Sequence, residues 1–305
     1  MMQIKSRASL IGLVLGLAMI AAACSSGDTA EDTAETVTTT VAEAPATTVA
    51  AFDLTASVDE YLSSLPEGFL AIGDVDVFKD GVEASGALVI DVRETGEYEE
   101  GHIPGAVNIP IRTVAANLDK IPTDRQVYVY CRTGFRAGEV LSSLGMLGYD
   151  NVLSYKPGWV GWTDAGEEVS TEAVEAEVVG APEIEPALLA AVDGYLSGIP
   201  DGFYSAGDAA KVQEAVAAGA FLLDVRTAGE YAEGYIEGAT NIDLREIAKG
   251  IDGVPTDVNV TTYCGSGHRS AMAVAALHVL AADNVNGYGG SYASLVESGL
   301  PALTP

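Results

Sequence analysis

Basic side chains are scarce in this chain. Fifteen Lys and Arg stand against 44 Asp and Glu, a formal net charge of −29 over 305 residues. Such a surface repels nucleic acid and anionic lipid headgroups, so neither is an expected partner. Cysteine and histidine are scarcer still, at three each, and no Cys-x-x-Cys pair occurs, so no metal site is expected. Long apolar runs are missing except for one, Ala8 to Ala23. Its 16 residues are short for a membrane span and suit the apolar part of an export signal. Length is not lacking, and suffices for two ordinary domains.

Lys5 and Arg7 precede the apolar run and Cys24 follows it. The segment Ile20-Ala-Ala-Ala-Cys24-Ser-Ser resembles a bacterial lipobox. That resemblance implies removal of residues 1–23, lipidation of Cys24, and an exported periplasmic or cell-surface protein held to the membrane only through its N-terminal lipid. Ordinary cleavage after Ala23 is the alternative, and would release a soluble protein. Residues 24–52 are rich in Thr, Ala and Glu with little to bury, which predicts a disordered tether. As a flexible coil it would span roughly 30 Å.

What the chain does have, it has twice. Asp91-Val92-Arg93 precedes Cys131-Arg-Thr-Gly-Phe-Arg136, and Asp224-Val225-Arg226 precedes Cys264-Gly-Ser-Gly-His-Arg269. Val58-Asp-Glu-Tyr-Leu-Ser matches Val192-Asp-Gly-Tyr-Leu-Ser, Pro66-Glu-Gly-Phe69 matches Pro200-Asp-Gly-Phe203, and Gly105-Ala-Val-Asn-Ile109 matches Gly238-Ala-Thr-Asn-Ile242. The repeats span 53–166 and 187–303, with an acidic linker at 167–186. The period is far above solenoid length, so these are tandem domains. In each, short apolar runs alternate with helical patterns. Strands are predicted at 87–91, 126–130, 220–224 and 258–263, and helices at 137–147 and 270–281. That alternation predicts an α/β fold with parallel sheets flanked by helices. Sites in such sheets form where strands end and helices begin.

Both Cys131 and Cys264 fall there. Gly134 and Gly267 let the backbone curl so that successive N–H groups point inward, and the following helix adds its positive end. Such donors favour the thiolate, the form that attacks sulfur. Arg136 and Arg269 either bind an anionic group of the donor or lock the loop. Asp91 and Asp224, beside Arg93 and Arg226, are read as supporting rather than reactive, stiffening the loop or pairing with an arginine. His102 and His278 are read as structural, and Trp159 and Trp162 as packing. The leader turns Pro66–Phe69 and Pro200–Phe203 are expected to pack on the domains, with the contact between repeats as the alternative role. With one cysteine in equivalent positions of each repeat, a resting disulfide is not expected.

These motifs resemble the rhodanese family of sulfurtransferases, through both repeats. The resemblance rests on Asp-Val-Arg, on Glu97-Tyr-Glu-Glu-Gly-His-Ile-Pro-Gly-Ala-Val-Asn-Ile-Pro110 and on Cys131-Arg-Thr-Gly-Phe-Arg136. It implies two tandem rhodanese-like α/β domains with Cys131 and Cys264 as catalytic cysteines that carry sulfur as a persulfide. Arg132, Thr133, Gly134, Phe135 and Arg136 would bind substrate in the first loop, and Gly265, Ser266, Gly267, His268 and Arg269 in the second. The partners implied are a small anionic sulfur donor, such as thiosulfate or mercaptopyruvate, and a thiol or cyanide acceptor. No cofactor is implied. Four residues between Cys and Arg, rather than the five of cysteine phosphatases, make a ring better sized to sulfur than to phosphoryl. Glu97 and Glu230 stand where thiosulfate-specific members tend to carry a base. Non-catalytic readings of the same cradles are anion or partner binding, and redox sensing through a disulfide between the two cysteines.

Overall fold

The computed structural model describes residues 51–304. The export signal at 1–23 and all but the last two residues of the tether at 24–52 lie outside the described residues. The first repeat builds a five-stranded sheet from β1 (Ala71–Ile72), β2 (Leu88–Asp91), β3 (Val107–Asn108), β4 (Val127–Tyr130) and β5 (Val152–Tyr155), in the order β1-β5-β4-β2-β3. All its pairings are parallel. The second repeat builds a four-stranded parallel sheet from β6 (Phe221–Asp224), β8 (Thr240–Asn241), β9 (Val260–Tyr263) and β10 (Val285–Gly287), in the order β10-β9-β6-β8. Two short strands, β7 (Tyr235–Ile236) and β11 (Ala302–Leu303), pair antiparallel beside it.

The central strands are buried on both faces. Every residue of β4 and of β9 is buried. Register then aligns the chemistry: Asp91 lies opposite Tyr130, the last residue before Cys131, and Asp224 lies opposite Tyr263, the last before Cys264.

The first repeat contributes helices α1 (Leu54–Ser64), α2 (Val75–Ser85), α3 (Thr95–Glu99), α4 (Phe135–Met146) and α5 (Gly158–Asp164). The second contributes α6 (Pro186–Gly198), α7 (Ala209–Ala217), α8 (Ala228–Glu233), α9 (His268–Val279) and α10 (Tyr292–Glu297). The helices α4 and α9, which follow the two cysteine loops, begin two residues earlier than their apolar spacing alone predicts. They also pack on each other, and small residues make this possible. A Cβ on Gly138 would come 3.0 Å from the Ala271 Cβ and 3.2 Å from the His268 carbonyl oxygen. One hydrophobic core therefore runs through both repeats, from Val58 and Leu144 to Leu196 and Leu277.

The leader helices are exchanged. Helix α1 packs on the 3-10 turn Leu244–Glu246 of the second repeat, and α6 on the turns Ile111–Thr113 and Ala115–Lys120 of the first. Arg112 donates to the carbonyls of Ile199 (2.7 Å) and Pro200 (2.8 Å) at the end of α6. Its counterpart Arg245 donates to those of Leu65 (2.8 Å) and Pro66 (2.9 Å) at the end of α1. Carbonyls just past each helix end thus find donors in the opposite repeat. The linker stretch 167–186 lies along the first repeat: Ser170 and His102 exchange backbone hydrogen bonds, and Val179 and Gly180 donate to Asp119.

Candidate functional site

In the first repeat, Cys131 leaves β4 and its Sγ accepts a hydrogen bond from the Gly134 N–H at 3.2 Å. The curl depends on glycine. Gly134 has φ +90°, and a Cβ there would lie 2.3 Å from the Lys156 carbonyl oxygen. A second glycine lets the next loop close over the cradle from behind. Gly158 has φ +60°, and a Cβ on it would meet the Cys131 carbonyl oxygen at 2.4 Å. The first N–H groups of α5 then cap the cradle: Trp159 donates to the Cys131 carbonyl (2.8 Å) and Val160 to that of Arg132 (3.0 Å).

The second repeat copies the arrangement. Cys264 Sγ accepts from Gly267 N–H at 3.1 Å and from Ser266 N–H at 3.4 Å. Gly267 has φ +82°, with the Gly289 carbonyl where a Cβ would stand. Tyr292 donates to the Cys264 carbonyl at 2.8 Å.

The supporting residues meet as a separate layer behind the strand ends. Arg93 binds Asp91 through Nε and a terminal nitrogen (2.9 and 2.5 Å) and donates to the Gly101 carbonyl at 2.7 Å. Tyr130 donates its hydroxyl to Asp91 at 2.6 Å. Asp224, Arg226 and Gly234 repeat the set. Asp91 therefore pairs with Arg93 and leaves the cradle amides to sulfur, one of the two arrangements its position allowed. Asn108, to which sequence reasoning assigned no role, donates to the carbonyls of Asp91 and Arg93. Asn241 does the same for Asp224 and Arg226, and its identity in both copies was the available signal.

The loop arginines are engaged by carboxylates. Arg136 makes two parallel bonds to Glu97 (2.6 and 2.9 Å), and Arg269 two to Glu230 (2.6 and 2.6 Å). Those bonds hold the Glu230 carboxyl down at about 2 against the upward pull of burial. At Glu97 burial pulls upward more strongly, yet the bonds and charge of Arg136 keep it below its ordinary value. Of the remaining loop residues, Arg132, Thr133, Gly265 and Ser266 are exposed at the mouths. Phe135 and His268, equivalent in position, reach into the other repeat. The Phe135 ring packs over Gly289, and His268 sits within contact of Gly138. His268 donates from Nε2 to the Phe69 carbonyl at 3.1 Å, while burial pushes its imidazole down to about 4. The ring is thus neutral at pH 7, with Nδ1 buried and unpartnered. His102 is buried and bound to the carbonyls of Tyr98 and Glu172, and His278 to that of Val285.

Both cysteines are buried, but they differ in what lies beside them. Cys131, 1% exposed, forms part of the wall of a cavity of about 610 Å³ with Glu97, Arg136 and Phe203. Cys264, 0% exposed, is absent from the wall of the 250 Å³ cavity beside its own loop. The facing residues differ too: Gly289 and Gly290 line the first cavity and Lys156 the second. Both thiols are free, and among the described residues no cluster of His, Cys, Asp and Glu could hold a metal ion.

A family model described as Rhodanese-like domain matches residues 74–165 and 208–298. The putative sulfur carrier protein YrkF of Bacillus subtilis is 33% identical over 109 residues, covering 35% of this chain and 56% of that protein. A sulfurtransferase of Allochromatium vinosum is 34% identical over 79 residues, 26% of this chain and 74% of its own. Among solved structures, the SseA 3-mercaptopyruvate sulfotransferase of Escherichia coli aligns over 73% of this chain and 98% of its own, at 22% identity and TM-score 0.36.

Proposed function

The chain belongs to the rhodanese-like domain family, and from that premise we propose that it moves sulfane sulfur from a small donor to a thiol or cyanide acceptor through a persulfide on Cys131. The observation that carries this reading is the Cys131 Sγ facing the Gly134 N–H at the start of α4, on the wall of an open cavity. A thiolate there has donors to stabilise it and room for one more sulfur atom.

The chemistry balances without a cofactor. The Cys131 thiolate attacks the outer sulfur of the donor, an Sγ–S bond forms, and the donor's own bond to that sulfur breaks. The electron pair leaves with the donor remnant, as a thiolate, sulfite or enolate. The acceptor nucleophile then attacks the outer sulfur, the Sγ–S bond breaks, and the thiolate returns. Because Arg136 is already bound to Glu97, the unpaired charge at the mouth is the exposed Arg132. That favours a singly charged donor, mercaptopyruvate or an organic persulfide, over the thiosulfate dianion. Lipid anchoring through Cys24 belongs to the same proposal, supported by Lys5, Arg7 and the apolar run before it. Loss of fatty-acid labelling in Cys24→Ser tests it.

The test of transfer is a mass measurement on the full chain after exposure to each donor in turn. A gain of about 32 Da on the Cys131 peptide, removed by cyanide, is expected. No gain on Cys131 with thiosulfate, mercaptopyruvate and an organic persulfide alike overturns the proposal.

A further inference from the structure

The two leader turns each place two bulky residues in succession in the left-handed region. Phe69 and Leu70 have φ of 53° and 56°, and Phe203 and Tyr204 have 54° and 50°. Bulky residues avoid the left-handed region, and two in succession, in both copies, need a compensating role. The Phe rings show what that role is. Phe203, from the second repeat, lies 4.7 Å from the Arg136 guanidinium and 4.8 Å from that of Arg112, both in the first. Phe69, from the first, lies 4.9 Å from Arg269 and 4.4 Å from Arg245, both in the second. Each ring is thereby fixed on the loop arginine of the opposite cradle. The turn carrying it is tied down by Arg112 or Arg245 through backbone carbonyls. Phe203 stands on the wall of the Cys131 cavity, and Phe69 on that of the cavity beside the Cys264 loop.

We propose that the leader turn of each repeat is the selectivity wall of the other repeat's sulfur site, Phe203 for Cys131 and Phe69 for Cys264. Substrates reach each cradle past an aromatic face supplied by the other half of the chain. The ring narrows the approach and favours slender or apolar thiols over bulky polar ones. At the first site Gly289 and Gly290 leave the approach open. At the second, Phe69 and Lys156 together narrow it, in keeping with the smaller cavity. The assignment rests on the reading of the cradles as sulfur sites, but its first test does not need turnover.

That test is alkylation of the full chain by iodoacetamide and by the bulkier N-ethylmaleimide, with each cysteine peptide followed by mass spectrometry. In Phe203→Ala the maleimide-to-iodoacetamide rate ratio at Cys131 rises about fivefold and that at Cys264 is unchanged; Phe69→Ala does the converse. Phe203→Leu and Phe69→Leu, which keep most of the packed volume, shift the ratios in the same direction by less. A change confined to the cysteine of the same repeat, or to neither, overturns the proposal. Transfer assays in the Cys264→Ser background then separate the two readings. There Phe203→Ala lowers discrimination between small and bulky acceptor thiols by about tenfold in kcat/KM. If the parent forms no persulfide, the transfer reading fails while the alkylation result still decides the wall.

Discussion

Tyr195, from the second leader helix, donates its hydroxyl to Glu139 of the first repeat at 2.9 Å, inside the shared core. Glu139 is fully buried, its other oxygen has no partner, and burial pushes its carboxyl up to about 8 despite Tyr195 and Arg136. In the folded chain it is protonated near neutrality, whereas unfolded it ionises above its ordinary 4.5. Stability from this group is therefore complete below that value and is lost as pH climbs toward 8. Glu139→Gln keeps an acceptor for Tyr195 and removes the titration. Its melting temperature should match that of the parent at pH 4.5 and exceed it at pH 8 by several degrees, at about 2–4 °C per kcal/mol. Parallel melting curves across that range would refute the assignment.

Freeing the loop arginine should change which donor is accepted. In Glu97→Gln the Arg136 guanidinium loses its ionic partner and faces the cavity. The KM for thiosulfate should fall about two- to tenfold, a modest gain because Glu97 is partly exposed and screened, while that for an uncharged organic trisulfide holds. Equal effects on both donors would show that the pair only braces the loop.

Their surroundings predict unequal cysteines. Because Cys131 lines a cavity and Cys264 is absent from the wall of the one beside its own loop, Cys131→Ser should remove most transfer, about a hundredfold or more. Cys264→Ser should leave the rate within about twofold. Dominance of Cys264 in steady-state assays would reverse the roles given to the two repeats.

Asp91→Asn isolates the layer behind the cradle. The change leaves Arg93, 3% exposed, without its counter-charge. Breaking a buried pair in this way costs about 3–5 kcal/mol, read as a lower denaturant midpoint. Loss of that size should come with slower sulfur loading, since the strand ending in Tyr130 positions Cys131. A variant as stable as the parent would mean that the Arg93 contacts to Gly101 and Trp159 suffice.

Much of this was legible locally. A run such as Val127–Tyr130 is apolar because it is a central strand, and Gly134 is glycine because the Lys156 carbonyl fills the space beside it. The parallel sheets, the cysteine positions and the glycine loops follow from patterns within a few residues. The partners of Phe203, Arg112 and Glu139 do not. Each contact joins segments more than 55 residues apart, and no periodicity encodes which repeat a leader helix will choose. The only trace was the retention of Pro-x-Gly-Phe in both copies, which hints at a contact between repeats but not at which residues it meets. Likewise, Glu97 and Arg136 are visible as residues, but their mutual neutralisation needs the third dimension.

The swapped leader helices make each half hold the other's ends. A protease nick near Glu183, which is exposed and lies outside any helix or strand, would leave two pieces joined by paired straps, Arg112 on one side and Arg245 on the other. The fragments would remain an intertwined heterodimer.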